Sequence, residues 1–349
     1  MWPFSDRRIA ERNFERIVIR VPNPLGDQIM ATPALRAIRT RYPTAQITGH
    51  GGGVARAIYS GAEWFDDFIV SGRKEPASRV AARLREGRFD ACLLLTGSFR
   101  SALPPFLARI PHRFGYRRSG RTPLLTAHFP RPKPGGQRAA YPTKQYYLDL
   151  VSHLGATGGG RASLPLSDED RERTAAWLAS VGIGPEEPLQ PMGVGAAFGP
   201  SKLWPAEYFA AVSDHMTREH GARSVLLCGP GEAEVGAADA AAAKEPLIDT
   251  GPDPLPLEVT KGLIARSRVM LTNDAGPRHI AIAFEVPVLC LMGPTDPAYT
   301  DSDQEGQIVL REPDIDCSPC HLKVCPIDHR CMTRLTPVKA IPALERLWH

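Results

Sequence analysis

Short apolar runs alternate with helix-like segments from the start of the chain. Residues 16–21 (RIVIRV) form a β-branched run that is typical of a buried parallel strand. After the loop PNPLGD, apolar residues recur at helical spacing over residues 28–43, and Pro43 ends that predicted helix. Further strands are predicted at AQITGH, DDFIV and FDACLLL, with an amphipathic helix at VAARLREG. This alternation predicts a parallel sheet with crossover helices.

The same alternation restarts in the second half. Strands are predicted at PLQPMGVGA, SVLLCGP, PLIDT, RVMLTND and VPVLCLMG, and helices over residues 205–220, 232–243 and 257–267. Residues 122–144, rich in Pro and Gly, are predicted to form a long loop, followed by a helix over residues 145–154. We therefore predict an α/β protein with two Rossmann-like domains, residues 1–183 and residues 184–349.

Composition and charge narrow the class of protein. The 349 residues suit two domains, and 43% hydrophobic with 23% charged residues is typical of a globular chain. No stretch approaches the roughly 20 apolar residues of a membrane span, and the charged N-terminus lacks a signal-peptide core, which predicts a cytoplasmic protein.

Residues 1–165 hold 26 Lys and Arg against 11 Asp and Glu, a net charge of +15, and the remainder carries −11. A half this basic favours an anionic partner.

The loop of residues 23–27 (NPLGD) joins the first predicted strand to the first predicted helix. Ligands of open α/β sheets bind at the carboxyl ends of the strands, where this loop begins. Asp27 is therefore either a helix cap or a carboxylate placed as a general base.

Residues 193–205 (GVGAAFGPSKLWP) follow a predicted strand with small residues and lead to Lys202. Such a loop can bring backbone N–H groups and an ammonium close to phosphate oxygens. It is not a P-loop, because Leu203 follows the lysine. The alternative is an ordinary Gly-rich connection.

Residues 271–283 (LTNDAGPRHIAIA) end a strand and begin a helix at Gly276. A helix N-terminus offers unbonded N–H groups and a positive dipole end, which suit a diphosphate. Arg278 and His279 add donors in the first turn, and Asp274 is either a site residue or a cap. The GPTD segment after the next strand is expected at the same edge of the sheet.

Two acidic residues, Glu232 and Glu234, lie in the Gly-rich turn CGPGEAE. A carboxylate at this point can accept hydrogen bonds from ribose hydroxyls. The alternative is a pair of surface glutamates at a helix start.

Four cysteines, Cys317, Cys320, Cys325 and Cys331, lie within 15 residues. In a cytosolic protein this density favours a structural zinc ion, although the spacing is not a standard two-knuckle pattern. The alternatives are a redox-labile disulfide or free thiols.

Together these segments resemble glycosyltransferase family 9, the heptosyltransferases of lipopolysaccharide inner-core assembly. The resemblance covers nearly the whole chain and rests on the order and spacing of five segments. They are RIVIRVPNPLGDQIMATPALRAIRTRYPTAQI, GSFRSALPPFLARIPHRFGYR, GVGAAFGPSKLWPAEYFA, LTNDAGPRHIAIAFEVPVLCLMGPTDP and CSPCHLKVCPIDHRCM. The second segment is most similar to the branch that adds the second heptose.

The resemblance implies a GT-B fold, with two Rossmann-like domains facing a central cleft, the acceptor on the first and the nucleotide sugar on the second. It implies inverting transfer of heptose from ADP-L-glycero-D-manno-heptose to the inner core, without a catalytic metal or other cofactor. By the same resemblance, Asp27 is the catalytic base and Lys202 contacts the donor phosphates. The donor-binding D-x-G-x-x-H pattern falls on Asp274, Gly276 and His279, and the ribose-contacting acid falls on Glu234 or, with a short gap, on Glu232.

The chain departs from the family pattern at GPRH, residues 276–279, where members more often have GLMH or GLSH. Pro277 removes a backbone N–H that a phosphate could use, and we expect the Arg278 guanidinium to compensate as a donor-binding group.

The positive charge of the first half suits an anionic glycolipid acceptor and peripheral contact with the inner membrane. No nucleic acid is expected as a partner. Eight basic residues are predicted to border the acceptor: Arg100, Arg113, Arg117, Arg118, Arg121, Lys133, Arg138 and Lys144.

Two alternative classes of protein stay open, and two further classes are disfavoured. One is a related GT-B transferase that uses another nucleotide sugar for a different surface glycan, and another is a non-catalytic sugar-nucleotide or glycolipid binding protein. A nucleic-acid-binding protein is disfavoured because no helix-turn-helix, RNP or zinc-finger pattern is present. A Rossmann dehydrogenase is disfavoured because no G-x-G-x-x-G follows the first strand.

Overall fold

The computed structural model divides the chain into two compact units, residues 1–165 and 166–349. It describes residues 9–132, 140–300, 303 and 305–349. The predicted boundary after residue 183 would assign the helix Asp168–Ser180 to the first unit. That helix instead packs along the helix Leu257–Arg266 of the second unit. A buried ion pair joins the two helices, with 3.1 Å between Lys261 Nζ and Asp170 Oδ2.

The first unit is built on a six-stranded parallel sheet in the order β3-β2-β1-β4-β5-β6. Its strands are β1 (Arg16–Arg20), β2 (Gln46–Gly51), β3 (Asp67–Val70), β4 (Ala91–Leu94), β5 (His112–Tyr116) and β6 (Ala127–Phe129). Its helices are α1 (Leu25–Met30), α2 (Thr32–Arg41), α3 (Gly53–Ile58), α4 (Ala77–Glu86), α5 (Phe99–Leu107) and α6 (Thr143–Ser152).

The helix predicted over residues 28–43 is wrong as a single element, because the chain forms α1 and α2 with a break at Ala31. Pro33 has no N–H to donate to the carbonyl of Ile29, as a continuous helix requires. The Thr32 hydroxyl takes over that carbonyl with a 2.8 Å hydrogen bond. The break therefore follows from two adjacent residues.

The loop predicted over residues 122–144 is also partly wrong. It contains a 3₁₀ turn, Thr122–Leu124, and the short strand β6, whose Phe129 is buried and pairs with Tyr116 of β5. Lys133 and Arg138 lie outside the described residues.

The second unit repeats the architecture with the strand order β12-β11-β10-β7-β8-β9, all parallel. Its strands are β7 (Leu189–Gly193), β8 (Arg223–Leu227), β9 (Leu247–Asp249), β10 (Met270–Asn273), β11 (Val288–Leu291) and β12 (Gln307–Leu310). Its helices are α7 (Asp168–Ser180), α8 (Ala206–His220), α9 (Ala233–Ala242), α10 (Leu257–Arg266), α11 (Gly276–Ala283), α12 (Arg330–Thr333) and α13 (Pro337–Trp348).

These two sheets confirm the predicted α/β class with two Rossmann-like units. In each sheet the strand order reverses direction at its centre, between β1 and β4 in the first unit and between β7 and β10 in the second. Ligands of doubly wound sheets bind at the carboxyl ends of the strands beside such a reversal. The loops after β1, β7 and β10 therefore begin at the positions where ligand sites form.

Candidate active site

Asp27 lies in the first turn of α1, directly after the loop that leaves β1. It does not cap the helix, since the N-cap position is Pro24. Its half-buried carboxylate accepts a 3.3 Å hydrogen bond from the hydroxyl of Tyr147 on α6. The structure therefore removes the helix-cap interpretation of Asp27, and the general-base interpretation stays a prediction.

Side chains on both sides hold the loop before Asp27. Gln28 Nε2 donates to the carbonyls of Pro22 (3.2 Å) and Asn23 (2.9 Å). Arg20 Nη2 donates to the Asn23 side-chain oxygen at 2.8 Å. These bonds fix the start of α1 and so the direction of the Asp27 carboxylate.

Burial raises the pKa of Asp27, and the hydrogen bond from Tyr147 lowers it in part. A carboxylate with a raised pKa is a stronger base than a solvated one, so it is better matched to removing a proton near neutral pH.

In the second unit, Lys202 ends a 3₁₀ turn, Pro200–Lys202, which follows β7. Its Nζ donates to the Asp274 carboxylate at 2.6 Å and to the Asp274 carbonyl at 2.8 Å. Both side chains are only 11% exposed. The ammonium also lies 5.0 Å from the ring centroid of Phe198. Since an ammonium has three donors, these two bonds leave one for a further acceptor.

Asp274 follows β10, but it does not cap α11, whose N-cap is Ala275. Its carboxylate accepts from the Thr295 hydroxyl at 2.7 Å and from Arg278 at 3.2 Å, in addition to Lys202. Burial by itself raises the pKa of Asp274, but Lys202 and Arg278 hold that pKa well below its usual value. Asp274 is therefore a permanent anion beside the helix start.

The first turn of α11 contains the other predicted donor-binding residues. Gly276 is its first residue, and Pro277 lacks an N–H. The Arg278 guanidinium is fully buried and donates to Thr300 (3.1 Å) and Gln307 (2.9 Å) as well as to Asp274. The structure thus places it in the interior, where it holds Asp274. His279 is buried, and burial together with Arg278 lowers its pKa to about 3, so its imidazole is neutral.

The two predicted ribose-contacting acids lie in different environments. The Glu232 carboxylate accepts a 2.6 Å bond from the Gly229 N–H. It also lies against the loop after β7, where a Cβ on Gly195 would come within 1.9 Å of Glu232 Oε2. Glu234 is exposed on α9. The structure therefore brings Glu232, rather than Glu234, to the loop that leads to Lys202.

The predicted acceptor-binding residues divide into two groups. Arg113 donates to the carbonyls of Leu124 (2.7 Å) and Ile110. Arg121 is fully buried and holds the carbonyls of Tyr116 and Thr96. These two guanidiniums stabilise the fold, which corrects the expectation that they face an acceptor. Arg100, Arg117 and Arg118 are exposed, and Lys144 at the start of α6 is half-buried.

The Cys-rich segment packs behind the turn that carries Lys202. The Ser201 N–H donates to the Lys323 carbonyl (3.0 Å), and the Ser201 hydroxyl donates to the Leu322 carbonyl (2.6 Å). His329 Nε2 donates to the Ser201 carbonyl at 2.7 Å. A Cβ on Gly199 would meet the Lys323 carbonyl oxygen at 2.5 Å. The segment therefore fixes the backbone on which Lys202 stands.

The four cysteines of this segment line one small cavity of about 60 Å³. All four are free thiols, and burial raises the pKa of Cys331 to about 11, with the neighbouring cysteines adding to the effect. Within the described part of the chain, no three His, Cys, Asp or Glu side chains are arranged to hold a metal ion.

Two doubly wound sheets, with an ammonium, a helix N-terminus and a buried carboxylate at the switch point of the second, are the arrangement expected of a GT-B nucleotide-sugar transferase. Residues 77–330 match the family model for glycosyltransferase family 9 (heptosyltransferase). The chain belongs to glycosyltransferase family 9.

Named relatives extend over most of the chain. It is 25% identical over 343 residues to lipooligosaccharide heptosyltransferase 2 of Campylobacter jejuni serotype O:6, covering 95% of this chain and 99% of the relative. It is 28% identical over 314 residues to lipopolysaccharide heptosyltransferase 2 of Salmonella typhimurium, covering 85% and 88%. Among solved structures, Escherichia coli ADP-heptose lipopolysaccharide heptosyltransferase II matches with a TM-score of 0.80 and 25% identity over 95% of this chain and 98% of that one.

Sequence reasoning missed the partners of the predicted site residues. Tyr147 lies 120 residues from Asp27, and His329 lies 128 residues from Ser201. No local pattern marks Tyr147, and His329 lies among the cysteines of residues 317–331, where its contact with Ser201 cannot be seen from the sequence. Thr295 is different, because it belongs to the GPTD segment that was expected at the same edge of the sheet as Asp274.

Proposed function

We propose that the protein transfers heptose from ADP-L-glycero-D-manno-heptose to the inner core of lipopolysaccharide, with inversion at the anomeric carbon. The observation that carries the proposal is the Lys202–Asp274 ion pair at the start of α11. It provides a cation and helix N–H groups for a diphosphate in a chain of the heptosyltransferase family. The names of the relatives support heptose as the sugar.

On the acceptor side, Asp27 removes the proton of the attacking hydroxyl as the new glycosidic bond forms. The hydroxyl oxygen attacks the anomeric carbon on the side opposite the departing ADP. Support comes from the raised pKa of Asp27 and from the bonds that fix its loop. General-base assistance typically contributes about 10²–10⁴-fold in rate.

On the donor side, the leaving diphosphate gains negative charge as the sugar departs. The remaining N–H of the Lys202 ammonium and the backbone N–H of Gly276 stabilise that charge. Preorganised donors of this kind act without reorganising during the reaction. The buried Arg278 contributes by holding Asp274, and Glu232 is the proposed acceptor for the ribose hydroxyls, with Glu234 as the alternative.

The acceptor is proposed to be an anionic glycolipid, which the exposed Arg100, Arg117 and Arg118 and the half-buried Lys144 help to bind. We further propose that the protein works at the cytoplasmic face of the inner membrane, as a peripheral protein. In the part of the chain that the structure describes, no helix has the length and apolarity to cross a bilayer.

A structural zinc ion at the four cysteines stays a prediction. Their shared cavity supports it, although no three His, Cys, Asp or Glu side chains of the described residues are arranged to hold a metal ion. Metal analysis of the purified protein tests it: about one zinc per chain, lost in Cys320→Ser, is expected. Metal-free wild-type protein would contradict the prediction.

The deciding experiment is incubation with a panel of ADP- and UDP-sugars and a truncated inner-core acceptor, read by mass spectrometry. We expect one heptose to be added from ADP-heptose only. Transfer from a different nucleotide sugar would assign another glycan to the same fold. ADP-heptose binding without transfer to any acceptor would contradict the catalytic proposal.

A further inference from the structure

Helix α5 turns an apolar face towards solvent. Phe99, Phe106 and Leu107 are 47%, 41% and 38% exposed. At 3.6 residues per turn these three positions fall within about 100° of arc, with the partly buried Leu103 between them. Large apolar side chains that cluster on a surface mark a contact with a partner or a membrane.

The opposite side of the same helix is the side that packs. Ala102, Pro104 and Pro105 are buried, and α5 lies along α4. Leu103, in the middle of the apolar arc, is partly buried against the core of the unit, whereas Phe99, Phe106 and Leu107 stay exposed on either side of it.

Basic side chains surround this apolar face. The Arg113 guanidinium lies 5.5 Å from the ring centroid of Phe106, and Arg85 Nη2 donates to the Leu107 carbonyl at 3.0 Å. Arg100 and Arg109 are exposed on and just after the helix.

The surrounding sequence is strongly basic as a whole. Residues 73–121 contain twelve Lys and Arg against three Asp and Glu, a net charge of +9. Among the three acids, Glu75 pairs with Arg83 at 2.6 Å and Asp90 accepts from the Glu15 N–H at 2.8 Å. Glu86 is exposed at the end of α4.

We propose that this α5 surface, formed by Phe99, Phe106, Leu107, Arg85, Arg100 and Arg109, docks on a bilayer that contains anionic phospholipid. The apolar side chains enter the boundary between headgroups and acyl chains, and the guanidiniums bind lipid phosphates. Charge favours this occupant over a second copy of the chain, because a symmetric contact would bring two surfaces of the same sign together.

Docking on a bilayer does not require the transfer reaction. The benefit of docking, which is access to a membrane-anchored acceptor, rests on the proposed function. Strand β4 leads into α5 and pairs with β1, and the loop after β1 leads to Asp27 in the first turn of α1. A bilayer on the α5 surface therefore lies on the unit that is proposed to bind the acceptor, near the anchor of a glycolipid.

Flotation with vesicles tests the proposal, using the full-length chain. Vesicles of phosphatidylethanolamine and phosphatidylglycerol are compared with vesicles of phosphatidylcholine, at low and high salt. The apolar variant is Phe106→Ser with Leu107→Ser. The charge variant is Arg85→Gln with Arg109→Asn, because Asn tolerates the positive φ of 57° at position 109. Val338→Ser is the matched control, since Val338 is 82% exposed on α13.

We expect salt-sensitive binding to the anionic vesicles only. The partition coefficient should fall about tenfold in the apolar variant and about fivefold for each arginine removed, with Val338→Ser unchanged. Melting curves and turnover of a water-soluble acceptor should be unchanged in all variants. If the apolar variant does not fold, the charge variant carries the test.

Equal binding to both vesicle types, or full binding by both double variants, would overturn the proposal. So would a wild-type dimer in sedimentation that the apolar variant abolishes, because a second copy would then cover the surface. Vesicle binding without heptose transfer leaves this inference standing and removes the proposed function. Heptose transfer without vesicle binding would remove this inference and leave the proposed function standing.

Discussion

The surroundings of two aspartates in the candidate site shift their pKa values in opposite directions. Asp27 is desolvated with one neutral hydrogen-bond donor, so its pKa is raised. Asp274 is buried too, but Lys202 and Arg278 bind it, so its pKa is lowered. A carboxylate can act as a base only if its protonated form is accessible. These environments support the proposed roles, with proton transfer at Asp27 and a purely electrostatic role for Asp274.

Replacing Asp27 should separate chemistry from donor binding. Asp27→Asn keeps the shape but cannot accept the proton, so we expect turnover to fall about 10²–10⁴-fold. The affinity for ADP, measured by calorimetry, should stay unchanged. Asp67→Asn, an exposed site on β3, is the control. Equal turnover of Asp27→Asn and wild type would remove the base assignment.

Removing the Tyr147 hydroxyl should move the pH profile. Its hydrogen bond lowers the pKa of Asp27, so Tyr147→Phe raises that pKa further. The acid limb of kcat/KM should therefore shift to higher pH, with the plateau at high pH largely kept. Tyr59→Phe is the matched control, because the buried Tyr59 hydroxyl bonds the Gln28 carbonyl at 2.8 Å instead. A limb that moves equally in both variants would contradict this role for Tyr147.

Asp239 on α9 should make stability depend on pH. It is 1% exposed, its carboxylate has no hydrogen-bond partner among the described residues, and burial raises its pKa to about 7, with Asp249 and Glu207 adding to the effect. The pKa of Asp239 is higher in the folded state than in the unfolded state, so the protonated carboxyl contributes its full stabilisation below about pH 4. This stabilisation falls as the pH rises from about 4 and is lost once the pH has passed about 7.

Asp239→Asn should remove this dependence. At pH 8 we expect the variant to be more stable than wild type by about 2 kcal/mol, and at most about 4, with little difference at pH 4. Denaturant titrations at both pH values measure it. Asp253→Asn, an exposed acid, should change neither value. A variant that is less stable at pH 8 would contradict the assignment.

At the scale of elements, the turn that carries Lys202 depends on the Cys-rich segment. Gly199 has a φ of 151°, and a side chain there would collide with the Lys323 carbonyl. Gly199→Ala should displace this contact and with it Lys202, so we expect ADP affinity to fall about tenfold or more. Gly52→Ala is the control, since nothing lies near its Cβ position. Unchanged ADP affinity in Gly199→Ala would mean that the segment does not position the lysine.

The elements that the sequence predicts are those whose pattern is local. β1, β7 and β10 lie within segments predicted as strands, and α8 and α10 begin and end close to their predicted bounds. Strand β6 was missed because its three residues gain their conformation only by pairing with β5. Among site residues, Asp27 and Lys202 follow strands and could be found, whereas the choice of Glu232 over Glu234 depends on a bond to Gly229 that no spacing reveals.

At the scale of the whole molecule, charge follows the division into units. Residues 1–165 carry +15 and residues 166–349 carry −11, and the structure divides the chain at the same residue. Most of the positive charge is solvated, so salt should screen it.

This division predicts different salt dependences for the two substrates. Between about 0.05 and 0.3 M KCl, the KM of a phosphorylated acceptor should rise several-fold more than the KM of the donor. The donor meets partly buried groups, which salt screens less. A dephosphorylated acceptor is the control and should show a weaker dependence. If salt raised the KM of the donor and of both acceptors equally, the basic surface of residues 1–165 would take no part in acceptor binding.

The bond between Lys202 and Asp274 has a consequence for what can enter the donor site. The lysine carries its own tethered anion, held at 2.6 Å. A group that is tethered competes at a high effective concentration. Small inorganic anions, which offer a single contact, must compete with that carboxylate for the ammonium. A nucleoside diphosphate brings a second phosphate and a ribose, and so gains contacts that Asp274 does not oppose. We therefore expect the ion pair to make the proposed donor site selective for a complete nucleotide over free phosphate.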